Sequence, residues 1–503
     1  MLLSEKIKNL ENVTDAAILM GTGNNKKRLD TLGFDKEELL LATNNDICIG
    51  IDFISEDGLS TAEKAIDDFL TGVNQNEGQQ NTLGFKPQSI ESAKEFMPGA
   101  NLVSISLPGE YAAEQARKSL DLDLNVFLFS DNVSITDERE LKEIAAQKGL
   151  MMMGPDCGTA MVNGNPLGFC NLIKRGPVGI VAASGTGAQE IMCILDHQGV
   201  GVSQVIGTGG RDLNKEIEAI STKVGLDVLN QDPNTETIIL VSKPAYPEVE
   251  EDLKHFVRAL KKPIIACFIG GEPGDTNAKS NWYRTNTLNH AALLAVSFEK
   301  NEPLPEKESF PQFKLNYAQA IDKYRRTLSP KQKYVRGLYS GGTLASEAAV
   351  LVSASIPEVY AGKGFGNVQP LKDIEKSQKN SFLDLGDDIF TQGRPHPMID
   401  PSTRLERMRQ EAKDPEVAVI LMDIVMGTNT LEDPASVYIP VIQDFKQQAQ
   451  GEGRNLIFVV HVCASQNDAG NSPRSQTQRF NDAGCLVFET NEEAAYMAAS
   501  LLE

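Results

Sequence analysis

The chain of 503 residues lacks the features that would place it in a membrane, on nucleic acid or in an oxidising compartment. No apolar run approaches the roughly 18–20 residues that a membrane span needs. The seven cysteines, at positions 48, 157, 170, 193, 267, 463 and 485, form no CxxC pair, and the five histidines are scattered. Neither a disulfide framework nor a structural zinc is therefore expected. One tryptophan and 6% aromatic residues leave no stacking platform for single strands. Positive charge is scarce: 48 Lys and Arg stand against 69 acidic residues, a net charge of -21, which repels nucleic acid and anionic lipid. The opening MLLSEKIKNLENVTD carries charges throughout and no apolar stretch with a small-residue cleavage site, so a cytoplasmic location is the expectation. What is present is an ordinary globular mix, 41% hydrophobic and 23% charged, in a chain long enough for roughly two to four domains. An anionic substrate would have to be held locally, by backbone amides or by a few placed Arg and Lys.

Short β-branched apolar runs alternate with helix-period segments, which is the pattern of βαβ units and parallel sheets. DAAILM, DICIGI, NLVSISL, NVFLFS and GLMMMG read as strands of a first unit, with GEYAAEQARKSLDLD as an amphipathic helix between two of them. Residues 72–90 are polar and rich in Gly, Gln and Asn, and read as a surface loop or short linker. A second unit begins near Gly176 with VGIVAA, VSQVIG, TIILVS and PIIACFIG. A charge-mixed connection with some helix, about 299–333, leads to a third unit with GLYS, SFLDLG, VAVILMD, LIFVVHV and CLVFET.

Units two and three follow one plan. Each opens with a strand running into a Ser-Gly turn and a helix, GIVAASGTGAQEIMCIL and GLYSGGTLASEAAVLV. Each continues to a Gly-rich loop with Arg and Asp, TGGRDLN and LGDDIFTQGRPHPMIDP, and then to a strand ending in a polar loop, ILVSKPAYPE and ILMDIVMGTN. Arg211 to Lys243 is 32 residues, and Arg394 to Asp423 is 29. Three pairings in the same order suggest an internal duplication.

The chemistry is expected at these loops. Ser184-Gly185-Thr186-Gly187 follows a buried strand and opens a helix, where free N–H groups and the helix dipole favour an anion. Ser340-Gly341-Gly342-Thr343 repeats it. Either turn alone is as well explained by tight packing; two in duplicated units favour phosphate or substrate binding. Neither is a Walker A loop, and GxGxxG is absent. In Gly207-Thr208-Gly209-Gly210-Arg211-Asp212, the glycines Gly209 and Gly210 expose amides and Arg211 can hold a carboxylate or phosphate bidentately, or simply pair with an aspartate. In the counterpart Gly393-Arg394-Pro395-His396-Pro397, two prolines stiffen the flanks of His396, which suits a positioned donor or acid/base. Lys243 at a strand end reads equally as an anion ligand or a surface lysine. His461 closes LIFVVHV at the sheet edge where open α/β sheets bind ligands, but a satisfied buried histidine accounts for it slightly better. His290 reads as an ordinary helix histidine. Cys157 has no visible base beside it.

These motifs carry a resemblance. GPVGIVAASGTGAQE with TGGRDLN resembles the ligase domain of the α subunit of succinyl-CoA synthetase, and NLVSISLPGEYAAEQARKSLDLDLNVFLFSD with GLMMMGPDCG resembles the second half of its CoA-binding domain. SFLDLGDD with VAVILMDIVMG is similar to the ligase domain of the β subunit. Along the whole chain, FSDNVSITDE, MGPDCGT, ASGTG, GGRDL, GLYSGGTLASEA and DLGDDIFTQGRPHPMIDP in order resemble the FdrA family. The resemblance implies three doubly wound parallel-sheet α/β domains: a CoA-binding-like Rossmann domain over 1–172, an α-subunit-like ligase domain over 173–300, a connection over 301–333 and a β-subunit-like ligase domain over 334–503.

The departures shape the expected function. No GHAGA phosphohistidine loop exists, no ATP-grasp segment is visible, and the Gly-rich CoA turn is replaced by Gly21-Thr22-Gly23-Asn24-Asn25-Lys26-Lys27. An enzyme without nucleotide or phosphohistidine can still use an acyl phosphate made elsewhere. The family's association with oxamate carbamoyltransferase fits, with carbamoyl phosphate and oxamate as small anionic substrates. His396, Arg394 and Arg211 are then the expected catalytic residues, and Ser184, Gly185, Thr186, Gly187, Gly209, Gly210, Lys243, Ser340, Gly341, Gly342 and Thr343 the expected phosphate and substrate ligands. Other subunits of the same enzyme and an oligomer are expected as partners. No metal is expected, and CoA is the one cofactor the resemblance suggests, against which the missing turn counts. The alternative is an acyl-CoA synthetase acting with a separate nucleotide-binding subunit.

Overall fold

A computed structural model describes residues 2–8, 10–21, 23–34, 37–43, 46–70, 87–271, 281–307, 309–391, 394–468 and 472–503. Most of the polar stretch at 72–90 lies outside the described residues. Two compact units are present, Met1–Ser89 with Ile389–Pro395, and Ile90–Asp388 with His396–Glu503.

In the first unit the strands Val13–Met20 and Ile47–Phe53 pair antiparallel, Met20 opposite Ile47 and Ala16 opposite Ile51, as a two-stranded sheet. Helices Leu2–Lys8 and Glu56–Leu70 pack on it through Ile7, Val13, Ala16, Ala62 and Ile66. This corrects the expected Rossmann domain over 1–172, in which both strands belonged to one parallel sheet. A short apolar run carries no direction, so its pattern is the same in an antiparallel pair and in a parallel sheet.

The second unit is α/β, with three sheets among its described residues. Leu102–Ile105, Asn125–Leu128 and Met152–Met153 form a small parallel sheet with helices Gly109–Asp121 and Ile135–Lys148. The next sheet has seven strands in the order Trp282–Thr285, Ile264–Phe268, Thr237–Ser242, Arg175–Ala182, Val202–Gly207, Thr159–Val162, Asn165–Gly168. Its last two strands are a hairpin turned by Asn163 and Gly164, both at positive φ, the backbone that an Asn-Gly pair favours in two-residue hairpins. Residues 159–168, read from sequence as part of the first domain, therefore belong by pairing to the second sheet.

The third sheet is parallel throughout, in the order Gln369–Pro370, Val359–Ala361, Asn380–Asp384, Tyr334–Tyr339, Val417–Val425, Ile457–Cys463, Leu486–Phe488. Five strands keep the same spatial order in both large sheets. In each, the strand entering the Ser-Gly turn lies between the strand that ends in the Gly-rich loop and the strand that ends in the polar loop. The duplication read from the sequence is thus a duplication of topology.

The two halves pack on each other inside one chain. Helices Gly185–His197 and Leu288–Lys300 from one, and Gly342–Ser353 and Asn491–Ser500 from the other, share one continuous core. Ala188, Ala292, Ala295, Ala348, Ala495 and Ala499 line it, and such small side chains let helix backbones approach closely.

Candidate functional site at two facing helix termini

Both Ser-Gly turns sit at carboxyl ends of central strands, where an open parallel sheet leaves room for a ligand. Ser184 caps the Gly185–His197 helix: its Oγ accepts the Gly187 N–H at 3.0 Å. The second helix starts at Gly342, with Gly341 at the cap position and no side chain capping it among the described residues. The two turns face each other. The hydroxyls of Ser184 and Thr343 are 2.5 Å apart, and a Cβ on Gly341 would stand 2.8 Å from Thr186 Cγ2. Only glycine there lets the turns come this close. Two positive dipole ends thus converge on one small volume.

Asp423, inside the Val417–Val425 strand, fills part of the second turn. It accepts the N–H groups of Ser340 and Gly341 at 2.8 and 2.9 Å and the Ser340 hydroxyl at 3.0 Å. Arg404 pairs with Asp423 and donates to the Leu338 carbonyl at 2.9 and 3.0 Å. Both side chains are buried. The chain's own carboxylate thus neutralises the amides of Ser340 and Gly341; among the described residues the amides of Gly342 and Thr343 have no such partner.

Carboxyl groups gather around these turns. Asp384 ends its strand against Gly342 and accepts the Gly386 N–H at 3.0 Å. Burial raises it to about 6, against the pull of the exposed Lys243 ammonium nearby. Asp156 is exposed yet crowded by neighbouring groups; the desolvation they cause and the charges of Asp388, Asp131 and Asp384 raise it to about 7, opposed by Arg211. Asp388 is raised to about 6 by burial and by its bonded neighbour Asp131. The sequence reading named none of these as site residues, although the Asp-rich run beside Gly-Arg-Pro-His-Pro and the Asp after Gly-Pro were visible.

The Gly-Gly-Arg-Asp loop is fastened from behind. Arg211 donates to the Val133 carbonyl at 2.8 Å and pairs with Glu138 at 2.7 Å. Glu138 and Asp212 both bind the buried Lys142, at 2.8 and 2.7 Å. Arg211 is therefore an anchored, part-exposed cation whose field reaches Asp156 and Asp388. Gly210 borders the Asp156 carboxylate. Gly209 has φ +83, and a Cβ there would collide with the Pro155 carbonyl. Gly209→Ala is expected to cost roughly 1–3 kcal/mol of stability and to displace Asp156; urea unfolding with unchanged slope checks it, and a loss of a few tenths would refute it.

His396 packs against Phe169, ring centroids 5.3 Å apart and planes tilted by 39°, and its Nδ1 accepts the Met398 N–H at 3.2 Å. Burial lowers it to about 4. The imidazole is neutral, and because Nδ1 accepts from Met398 it carries its proton on Nε2, which lies against Gly386. It suits a neutral hydrogen-bond donor rather than an imidazolium acid. Arg394 groups with the first unit, where its N–H donates to the Thr391 carbonyl at 2.9 Å, so the site described here is built without it. Gly393 lies outside the described residues.

Three other candidates are buried in the fold. Burial pushes the Cys157 thiol up to about 12, which leaves no thiolate for nucleophilic attack. His290 is buried in its helix, and burial lowers its pKa. His461 is fully buried against Glu190 at 2.7 Å.

Known proteins are similar to this chain in sequence. The protein YahF of Escherichia coli (strain K12) is 40% identical over 507 residues, which cover 100% of this chain and 95% of that protein. The chain belongs to the YahF family. The family described as CoA-ligase matches residues 338–501. The α subunit of ADP-forming succinate–CoA ligase of Aquifex aeolicus (strain VF5) is 27% identical over 186 residues, covering 36% of this chain and 59% of that subunit. The scaffold is thus that of the acyl-CoA synthetase-like superfamily. A solved structure of PH0766 from Pyrococcus horikoshii OT3 aligns at a TM-score of 0.34 with 15% identity, over 84% of this chain and 87% of that one, too distant to inform the geometry. Among the described residues no helix is long and apolar enough to cross a membrane.

Residues 1–86 match the AllF heavy metal-associated domain. Their donor set does not suit a soft heavy metal: the segment holds one cysteine, the buried Cys48, and no histidine. Gly23-Asn24-Asn25-Lys26-Lys27, after its first strand, holds no thiol and opens the helix Gly23–Thr31. That strand is also the one whose turn would hold CoA in the synthetases, and here it belongs to the antiparallel pair.

Proposed function

We propose that the chain belongs to the FdrA group and works as one subunit of an oxamate carbamoyltransferase, converting carbamoyl phosphate and oxamate to oxalurate and phosphate in anaerobic allantoin breakdown. One observation carries this reading. The Ser184 and Thr343 hydroxyls stand 2.5 Å apart and set two helix amino termini on one small volume. A leaving phosphate and the charge growing on a carbonyl oxygen are what such termini stabilise. The AllF match supports the allantoin setting. The absence of a GHAGA loop from the sequence supports the use of an acyl phosphate made elsewhere.

In this mechanism the amides of the Ser184–Gly187 turn and of Gly342 and Thr343 hold the phosphate, with Lys243 and the Gly209–Gly210 amides at its rim and Arg211 supplying charge. The His396 Nε2–H donates to the carbamoyl oxygen. The oxamate nitrogen attacks the carbamoyl carbon, the C–O bond to phosphate breaks, and Asp156 takes the amide proton. Its raised affinity for a proton fits a base working near neutral pH. Holding two small anions in register can supply about 7–11 kcal/mol of the barrier reduction. The neighbouring carboxyls are compatible with anionic substrates only because they are partly protonated near pH 6–7.

The test is oxalurate and phosphate formation from carbamoyl phosphate and oxamate, with this chain alone and co-purified with its partner subunits. Activity is expected to rise through about pH 7 as Asp156 ionises, and Asp156→Asn should remove most of it together with that rise. Full activity in the Asn variant would reject the role. The match of residues 338–501 to CoA-ligase favours a second reading, an acyl-CoA ligase served by a separate nucleotide-binding subunit. Thioester formation from CoA and ATP, with no oxalurate, would establish it.

A further inference from the structure

Four side chains that this reaction does not use meet where the two ligase-like halves pack together. Glu190 and Cys193 are three residues apart on the Gly185–His197 helix and share a face. His461 and Cys463 are two apart on the Ile457–Cys463 strand and point to the same side. All four are buried. Oε2 of Glu190 is 2.7 Å from Nε2 of His461, and the two sulfurs are 3.8 Å apart. One ligand atom each from Glu190, His461 and Cys463 lie within 4.8 Å of one another.

We infer that Glu190, Cys193, His461 and Cys463 form a closed zinc site that joins the two halves. Two thiol sulfurs, an imidazole nitrogen and a carboxylate oxygen are the donor set of a borderline-soft divalent ion. With Zn–S bonds of about 2.3 Å, a tetrahedral edge between two sulfurs is about 3.8 Å, the separation found here. The site also has its outer supports. Nδ1 of His461 is 3.3 Å from the Phe488 carbonyl, which turns Nε2 toward the cluster, and the second oxygen of Glu190 accepts the Asn491 N–H at 3.0 Å. Glu190 and His461 need to part by about half an ångström to span a tetrahedral edge, and the Cys193 sulfur, which touches Cys463 but lies outside the 4.8 Å group of Glu190, His461 and Cys463, has to turn inward. On binding, four bonds to zinc form, and both thiol protons and the Nε2 proton leave. Four protein ligands leave no open position, so the ion is structural. It links the helix of one half to the strand of the other, 270 residues away. That distance in sequence, with no CxxC pair, is why the cysteine spacing pointed to no metal.

The experiment measures metal in the full chain expressed with added zinc, and the electronic spectrum after cobalt(II) substitution. About one zinc per chain is expected, with thiolate-to-cobalt charge transfer and tetrahedral ligand-field bands. Cys193→Ser with Cys463→Ser should lower bound metal at least about tenfold, whereas Cys485→Ser keeps it. The site is refuted if the native chain holds under about a tenth of an equivalent and gives no thiolate band, or if the double variant retains its metal. Should the double variant fail to fold, the cobalt spectrum of the native chain decides alone: no thiolate charge transfer overturns the site.

Discussion

Asp423→Ala is expected to lower the free energy of unfolding by about 3–5 kcal/mol. The substitution removes the carboxylate that accepts the Ser340 and Gly341 amides and the Ser340 hydroxyl. It also leaves the buried Arg404 guanidinium without its counter-charge, held among the described residues by the Leu338 carbonyl and the Tyr438 hydroxyl. With no carboxylate to pin it, the second Ser-Gly turn loosens and the Thr343 hydroxyl loses its register with Ser184, so activity should fall with stability. Asp423→Asn keeps the shape and some of the hydrogen bonds and should lose less of both. Urea unfolding of the two variants against the native chain measures the difference. A loss below about 1 kcal/mol for the alanine variant would mean that Arg404 is satisfied by its neutral partners.

Glu347 governs a pH dependence of comparable size. It is 1% exposed and accepts the Leu288 N–H and the Asn491 side-chain amide, both at 2.8 Å, between the two ligase-like halves. Burial and the nearby charges of Glu492 and Glu190 raise it from 4.5 to about 8. The folded protein therefore holds a proton that the unfolded chain has released between these values. Stability from this group is complete below about pH 4.5 and is lost as pH rises through about 8. The expected slope is roughly 1.4 kcal/mol per pH unit, flattening above the upper value. Glu347→Gln keeps an uncharged side chain at every pH, so its stability relative to the native chain should climb across that range. Asp156, Asp384 and Asp388 are raised in the same sense, but they are common to both proteins and drop out of the difference. Parallel curves for the two proteins would show that Glu347 is ionised throughout.

Much of the architecture is legible in the sequence. Buried runs such as VAVILMDIV and VGIVA, alternating with helix-period segments, determine parallel α/β sheets, because only strands covered on both faces tolerate uninterrupted apolar sequence. The paired order of Ser-Gly turn, Gly-rich loop and polar loop determined the duplication and marked the strand ends where Ser184, Gly341 and Thr343 now lie. The direction of the first two strands was not legible, since a short apolar run has none until it pairs. The hairpin at Asn163 and Gly164 carried a local signal in its Asn-Gly pair; the sheet it joins is a matter of distant hydrogen bonds.

Tertiary structure alone decided which charges meet. Arg211 was legible as an anion ligand or as an ion-pair partner, and the partner it has, Glu138, is 73 residues upstream. His396 was marked by its flanking prolines, but its neutrality comes from burial against Phe169 and from the Met398 amide. The carboxyls of Asp156, Asp384 and Asp388 come from separate loops, and their raised proton affinities exist only once those loops converge. Local pattern determines where strands, turns and apolar faces fall because each depends on neighbouring residues. Protonation and pairing depend on desolvation and on charges brought within a few ångströms from anywhere in the chain, and those distances are set only by the folded whole.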